Sequence, residues 1–486
     1  KVGQPRNAEV AKNGTKLTRG ANFKCLMSDS PMTGDYIKDE GKAGRMGTRL
    51  MAIVADGTRG RVYLPPSADH EALAKKANPE WRPETPLPES ALGFSVQLYF
   101  PQGTYSDLFT GRQLLALTTL SDIAKDVRAK IAEDVKGIGS IGDSKSFAAY
   151  ADAISLYLAL AIDKAADYDS ALVMWSPTRD QVKTTFARNA MPMIWDFAEV
   201  NVFAKAAGDP AVSLEGIARI VSQFGYSSEG IAIQSDAQSQ SISNGKVIST
   251  DPPYFDNIGY ADLSDFFYSW LRATLRNSFP ELLATVGVPK AEELVATPAR
   301  HGGRRGAQEF FLAGMQLAMH RLAAQTHPAF PITIYYAFKQ TESDDDKGTS
   351  STGWEAFLDA VQRAGLSITG TWPIRTERDV RSRGIDSNAL ASSILLVCRP
   401  RSASAQSATR REFLNSLKSE LPAALAQLQA ANIAPVDLAQ AAIGPGMAVY
   451  TRYDRVLDAE GKPLLVRTAL ALINQVLDEA LAEQEG

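Results

Sequence analysis

Asp251-Pro252-Pro253-Tyr254 places a carboxylate, two rigid imides and an aromatic face within one turn of chain. Two prolines hold φ near about −65° and leave the turn little entropy to lose. The Asp251 carboxylate and the Pro252 carbonyl can therefore offer two acceptors to one flat amine. The Tyr254 ring supplies a face on which a base can stack, and Phe255 follows as a second wall.

Such a corner needs a strand to deliver it. Lys246–Thr250 reads as a short buried strand that stops at the prolines, which have no N–H to give a ladder. Asp251 and Tyr254 then lie at its carboxyl edge, where ligands bind in open α/β sheets. Gly230–Gln234 reads as the preceding strand and ends at Ser235-Asp236. After the corner come an aromatic amphipathic helix over Tyr260–Arg276, a polar insertion over Pro280–Arg305, and a helix over Gln308–Ala324. Pro331–Phe338 is the next strand, the acidic loop Glu342–Thr352 follows, and Trp354–Ala364 is a helix stopped by Gly365. Ser367–Ile374 and Ser392–Cys398 complete the set as two strands forming an antiparallel edge. Strand alternating with helix predicts an α/β sheet. Lys339, Glu377 and Arg378 fall at strand ends and can line the cleft. The charged segment Arg375–Asn388 can close over a ligand. His301-Gly302-Gly303-Arg304-Arg305-Gly306 reads as a basic, flexible loop whose Arg304 and Arg305 can follow phosphates.

The rest of the chain supports this region. Residues 1–105 form a loop- and strand-rich accessory region with apolar bursts at Arg49–Val54, Arg61–Leu64 and Phe94–Tyr99. Residues 106–225 are helical, with Leu114, Leu117, Leu120 and Ile123 at helical spacing and a second helix over Phe147–Ala165. A Gly-rich hinge at Gly137–Asp143 joins the two helices. Arg112 reads as a helix-entry arginine paired to a nearby carboxylate. Residues 226–405 hold the corner, and 406–486 are helical around an irregular unit at Gly444-Pro445-Gly446-Met447. The net charge of −4 over 486 residues leaves no global basic field, so nucleic-acid contacts must come from local patches. Two distant cysteines, Cys25 and Cys398, predict reduced thiols, a cytoplasmic protein and no metal site. No apolar run approaches the roughly 20 residues of a membrane helix.

The corner resembles the signature of amino-methyltransferases acting on adenine N6 or cytosine N4. Its continuation Tyr260-Ala261-Asp262-Leu263-Ser264-Asp265-Phe266-Phe267 resembles the large family described as adenine-specific DNA methylases containing a zinc ribbon. Leu108–Leu117, Pro192–Glu199, Pro289–Leu294 and Ala391–Pro400 resemble it too, so the likeness runs from about Cys25 to Arg401. Cys25 lies where that family carries metal-binding cysteines, but it is one sulfur where four ligands are needed.

The resemblance implies a Rossmann-like class I methyltransferase sheet of which the C-terminal half is present. It implies S-adenosylmethionine as cofactor, with Asp236 accepting from its adenine amine and Asp251 beside it. Double-stranded DNA is the implied partner, contacted through Phe255, Tyr260, Arg304, Arg305 and Lys339. The implied role is adenine N6 methylation after base flipping, in host modification or phage defence. The glycine-rich cofactor turn of such enzymes is missing here, Ile443-Gly444-Pro445-Gly446 being the nearest imitation. An upstream polypeptide or second subunit is expected to carry it. Cytosine N4 methylation and a catalytically silent DNA-binding subunit stay open as alternatives.

Overall fold

The computed structural model describes residues 9, 13–18, 20, 22–100, 103–134, 144–225, 230–255, 258–336, 352–375, 392–430 and 435–485. The chain divides into two compact units, Lys1–Ala232 with Gly259–Lys290, and Ile233–Ile258 with Ala291–Gly486. These units cut across the four consecutive regions expected from the sequence.

The first unit contains β1 (Phe23–Lys24), β2 (Pro31–Met32), α1 (Gly34–Lys42), β3 (Ile53–Gly57), β4 (Gly60–Leu64) and α2 (Ala68–Ala74). It continues with α3 (Gly111–Asp134), α4 (Ser144–Tyr168), β5 (Trp175–Ser176), β6 (Gln181–Val182), α5 (Pro210–Val221) and α6 (Tyr260–Leu275). Among the described residues its strands are three separate antiparallel pairs: β1 with β2, β3 with β4, and β5 with β6. Helices α3 and α4 pack on each other and both meet α6.

The aromatic stripe of α6 explains why a segment beside the corner belongs to this unit. Phe266 and Trp270 are fully buried, with Phe109 stacked on Phe266 at 5.4 Å and edge-on to Trp270 at 5.4 Å. Tyr105 donates its hydroxyl hydrogen to the Asp262 carbonyl. Buried Asp265 accepts from Lys290 Nζ at 2.5 Å and the Val288 amide at 2.7 Å. Burying large aromatic rings outweighs the pull of sequence proximity.

Two expectations fail in this unit. Phe94–Tyr99 is not a strand, because Val96–Tyr99 winds as a 3₁₀ turn. The expected absence of any membrane-length apolar run also needs correction, since Ser146–Tyr168 is long and apolar enough by length and composition. That helix nonetheless buries Ala151, Ala159, Ile162 and Ala166 together with the carboxyls of Asp163 and Asp167.

The second unit contains β7 (Ser249–Thr250), α7 (Arg304–Gln325), β8 (Ile332–Tyr336), α8 (Thr352–Arg363), β9 (Leu366–Arg375) and β10 (Ser392–Pro400). It ends with β11 (Ala408–Thr409), α9 (Arg410–Ala430), α10 (Pro435–Thr451), β12 (Val456–Leu457) and α11 (Val466–Glu485). Its four-stranded sheet has the order β7-β8-β10-β9. Strand β7 runs parallel to β8, with Ser249 opposite Thr333 and Thr250 opposite Ile334. Strand β10 lies between β8 and β9, antiparallel to both. The last strand is therefore interior, and β9 takes the edge.

Alternation buries Ile332, Ile334 and Tyr336 of β8 in one core with Phe311, Met315 and Met319 of α7 and Phe357 of α8. Helices α9, α10 and α11 close the unit, α10 lying along β9.

Several readings are corrected here. Gly230–Gln234 forms no strand and is exposed, Ile231 at 81% and Ile233 at 58%. Lys246–Thr250 is not a buried strand throughout: Val247 is 63% exposed, and upstream of β7 only a single bridge joins Lys246 to Thr326. Arg304 and Arg305 are not in a loop, because Gly302 and Gly303 at φ +67° and +103° end the loop and α7 begins with the arginines. Gly444-Pro445-Gly446 is no irregular unit but lies inside α10. Proline removes the hydrogen bond to the carbonyl four residues back, and Thr371 Oγ1 of β9 points to that carbonyl, Ala441, at 3.5 Å. A side chain at Gly444 would collide with Thr371.

Two carboxyls of the first unit set a pH dependence. Asp169 accepts from Gln113 Nε2 at 3.1 Å and the Val200 amide at 3.3 Å, and burial pushes it from 3.8 up to about 7. Burial also pushes Asp163 well above the carboxylate range, and its Oδ1 accepts no hydrogen bond from a described residue. Folded chain thus keeps protons that unfolded chain releases, so stability is full at acidic pH and falls as pH rises from about 4 to about 7. Asp169→Asn is expected to flatten that fall and raise the melting temperature at pH 8 by several degrees. Thermal melts from pH 4 to 8 check this, and identical pH slopes for variant and wild type would refute it.

Candidate functional site

The corner is built where the β7 ladder ends. Thr250 is the last paired residue, and Pro252 and Pro253 can donate nothing further to β8. Pro252 is buried, Pro253 half-buried, and Asp251 exposed. The Tyr254 hydroxyl donates to Asp251 Oδ1 at 2.7 Å. One carboxylate oxygen is thus held by its own turn, and the other carries no hydrogen bond to a described residue.

The Tyr254 ring meets Tyr336 edge-on at 5.0 Å. Tyr336 is itself stacked on Phe357 at 4.2 Å and donates to the Gly353 carbonyl at 3.4 Å. Strand β8 and helix α8 therefore fix the tyrosine that fixes Asp251.

Phe255 adopts φ +46°, a left-handed conformation that costs a non-glycine residue on the order of 1–3 kcal/mol. Two contacts hold it there. Its carbonyl accepts from the Ala296 amide at 2.9 Å, and its ring lies edge-on to Phe311 at 5.2 Å. The ring is half-buried against the core and anchors the turn.

The other predicted residues are dispersed. Asp236, whose strand does not form, opens a turn: Oδ1 accepts from the Gln238 amide at 2.9 Å and its carbonyl from the Gln240 amide at 3.0 Å. Gln238 in turn accepts from Arg321 Nε at 3.3 Å, so this turn is tied to α7 and does not extend the sheet beside β7. Arg304 starts α7 exposed, and Arg305, 93% exposed, pairs with Glu309 one helical turn on at 2.9 Å. Tyr260 belongs to the first unit, where it opens α6 and is 49% exposed. Arg112, also in the first unit, pairs with Glu199. Lys339, Glu377 and Arg378 lie outside the described residues, as do the loop Glu342–Ser351 and the hinge Gly137–Asp143.

Sequence reasoning missed Tyr336, Gly353 and Ala296. The alternation of β8 carries a signal for Tyr336, whereas Gly353 and Ala296 act through backbone closeness that leaves no sequence trace. The described residues contain no glycine-rich turn beside β7, and Gly444 is filled by Thr371. No family model, curated protein or solved structure matches the chain.

A Cβ added at Gly353 would stand 2.8 Å from Phe255 Cβ. Gly353→Ala is therefore expected to destabilise the second unit by about 1–3 kcal/mol despite the better helix propensity of alanine. Urea unfolding measures this, and a variant as stable as wild type would show that Phe255 is not tightly held.

Proposed function

We propose that the chain takes part in methyl transfer from S-adenosylmethionine to the N6 amine of adenine in DNA. The observation that carries this reading is the Asp251 carboxylate, held by Tyr254 at the exposed end of a parallel strand with its second oxygen turned to no described partner. Further support comes from the sheet, in which parallel β7 and β8 are followed by an antiparallel pair, the order expected of the second half of a Rossmann-like methyltransferase.

An exocyclic amine is a poor nucleophile because its lone pair is delocalised into the ring. Asp251 and the Pro252 carbonyl accept hydrogen bonds from its two hydrogens, which favours a tetrahedral nitrogen with a localised lone pair, and the one proton lost on methylation passes through Asp251 to solvent. The prolines hold both acceptors before the amine arrives, so little ordering remains at the moment of reaction. Adenine N6 is inaccessible in a stacked duplex, so the base must be flipped, and Tyr254 offers its face. Phe255 acts through the turn as a positioning residue.

The described residues do not fit the cofactor by themselves. Asp236 is committed to a turn, and no glycine-rich turn stands beside β7 among them. The corner accordingly serves the acceptor side alone, and an upstream polypeptide or second subunit is assigned the cofactor turn. The same observation favours a second reading, a DNA-binding subunit without turnover of its own.

Nucleoside analysis of duplex DNA incubated with S-adenosylmethionine and the protein, joined by the polypeptide that carries the cofactor turn, tests the proposal. N6-methyladenine is the expected product. N4-methylcytosine would replace the acceptor, and no methylated nucleoside would favour the silent subunit. Among variants, Tyr254→Phe keeps the ring but releases Asp251 and is expected to lower kcat on the order of tenfold. Tyr254→Ala should lose on the order of a hundredfold, since base stacking is worth about 1–3 kcal/mol. Equal rates for wild type and Tyr254→Phe would show that the hydroxyl bond does not matter.

A further inference from the structure

The first unit carries an open cleft of about 490 Å³ around the β5–β6 hairpin, in a stretch with no part in the corner. Its walls include Tyr168, Ser176, Thr178, Arg179, Lys183 and Thr184. These are cations and hydroxyls, the side chains that hold phosphate and sugar oxygens in protein–DNA interfaces. No carboxylate lines the cleft among the described residues. A small-molecule pocket would enclose its ligand, whereas this one is open, with Val182 and Ala187 beside the cations and hydroxyls.

The hairpin is built to keep the cations available. Asp180, the carboxylate nearest in sequence, turns at φ +47° and accepts from the Tyr63 hydroxyl at 2.9 Å. Tyr63 also accepts from Trp175 Nε1 at 3.1 Å, so one tyrosine of β4 clamps both the strand and the tip of the hairpin. Asp167, at the end of α4, is paired with Lys164 at 3.3 Å, and Lys164 lies over the Tyr168 ring at 4.8 Å. Arg179 and Lys183 form no ion pair with a described residue. Residues 175–190 also include exposed Arg188 and hold Asp180 as their single carboxylate. On a chain of net charge −4, Arg179, Lys183 and Arg188 against the single carboxylate of Asp180 leave this hairpin a local cationic excess.

We propose that this cleft binds the phosphodiester backbone of DNA, with Arg179 and Lys183 supplying the charge and the hydroxyls of Thr178 and Thr184 supplying directional hydrogen bonds. The choice of DNA as the phosphate source rests on the methyltransferase reading. The contact is independent of sequence and sets affinity, not specificity.

Fluorescence anisotropy of the full chain with a labelled 20-base-pair duplex, over a salt series, tests it. The double variant Arg179→Gln/Lys183→Gln is expected to bind on the order of tenfold more weakly at low salt. Its slope of log affinity against log salt should be shallower by about 2, at roughly 0.9 for each phosphate no longer neutralised. A melting curve of the double variant that overlays that of wild type controls for disturbance of the hairpin. An unaltered affinity and slope in the double variant would overturn the proposal while leaving the methyltransferase reading intact. Wild-type chain that binds inorganic phosphate but no duplex would overturn DNA as the occupant. A duplex affinity that depends on Arg179 and Lys183, in protein that yields no methylated nucleoside even with the polypeptide carrying the cofactor turn, would support the cleft and sink the methyltransferase reading.

Discussion

The hydrogen bond from Tyr254 to Asp251 is the interaction on which the corner depends. A carboxylate on a free turn would rotate between rotamers and meet an incoming amine at the cost of ordering itself. Here one oxygen is already occupied, the two prolines fix the backbone, and the other oxygen carries no hydrogen bond to a described residue. The constraint extends outward through Tyr336 to the stacked Phe357, and through Phe255 to Phe311 and Ala296. A left-handed phenylalanine is retained only when its surroundings over-determine it. The core of the second unit does so, and the rigidity of the turn is in this sense a property of β8, α7 and α8.

The sheet gives that rigidity a direction. Because β7 is parallel to β8 and ends at the prolines, its last residues project beyond the ladder instead of pairing across it. Ile332, Ile334 and Tyr336 commit alternate positions of β8 to the core, which pins the register of β7 against it. The first unit is held by different means, chiefly the rings of Phe109, Phe266 and Trp270 packed around α6.

Much of this was legible. The periodicities of α3, α4, α6, α8, α9 and α11 announced helices close to where they stand, and the residues flanking Asp251 announced a strand end. The misses have physical causes. Ile231 and Ile233 alternate as a strand would, but alternation needs a neighbouring ladder to be realised, and the turn opened by Asp236 is tied to α7 instead. Tyr260 sits nine residues after Asp251, yet sequence distance says nothing about which core an aromatic stripe will join. Gly444-Pro445-Gly446 has the composition of a turn, and only the closeness of Thr371 makes it intelligible inside a helix. Arg179 and Lys183 carry no motif, because whether a cation stands without an ion pair depends on what folds around it and not on spacing.

The central claim is that the Asp251 carboxylate receives the acceptor amine. The most direct measurement is the rate of methyl transfer to DNA by Asp251→Ala, alongside its melting curve and duplex affinity. The account predicts a fall of at least about 10²–10³-fold, with folding and affinity as in wild type. A variant that transfers methyl groups at the wild-type rate would contradict it.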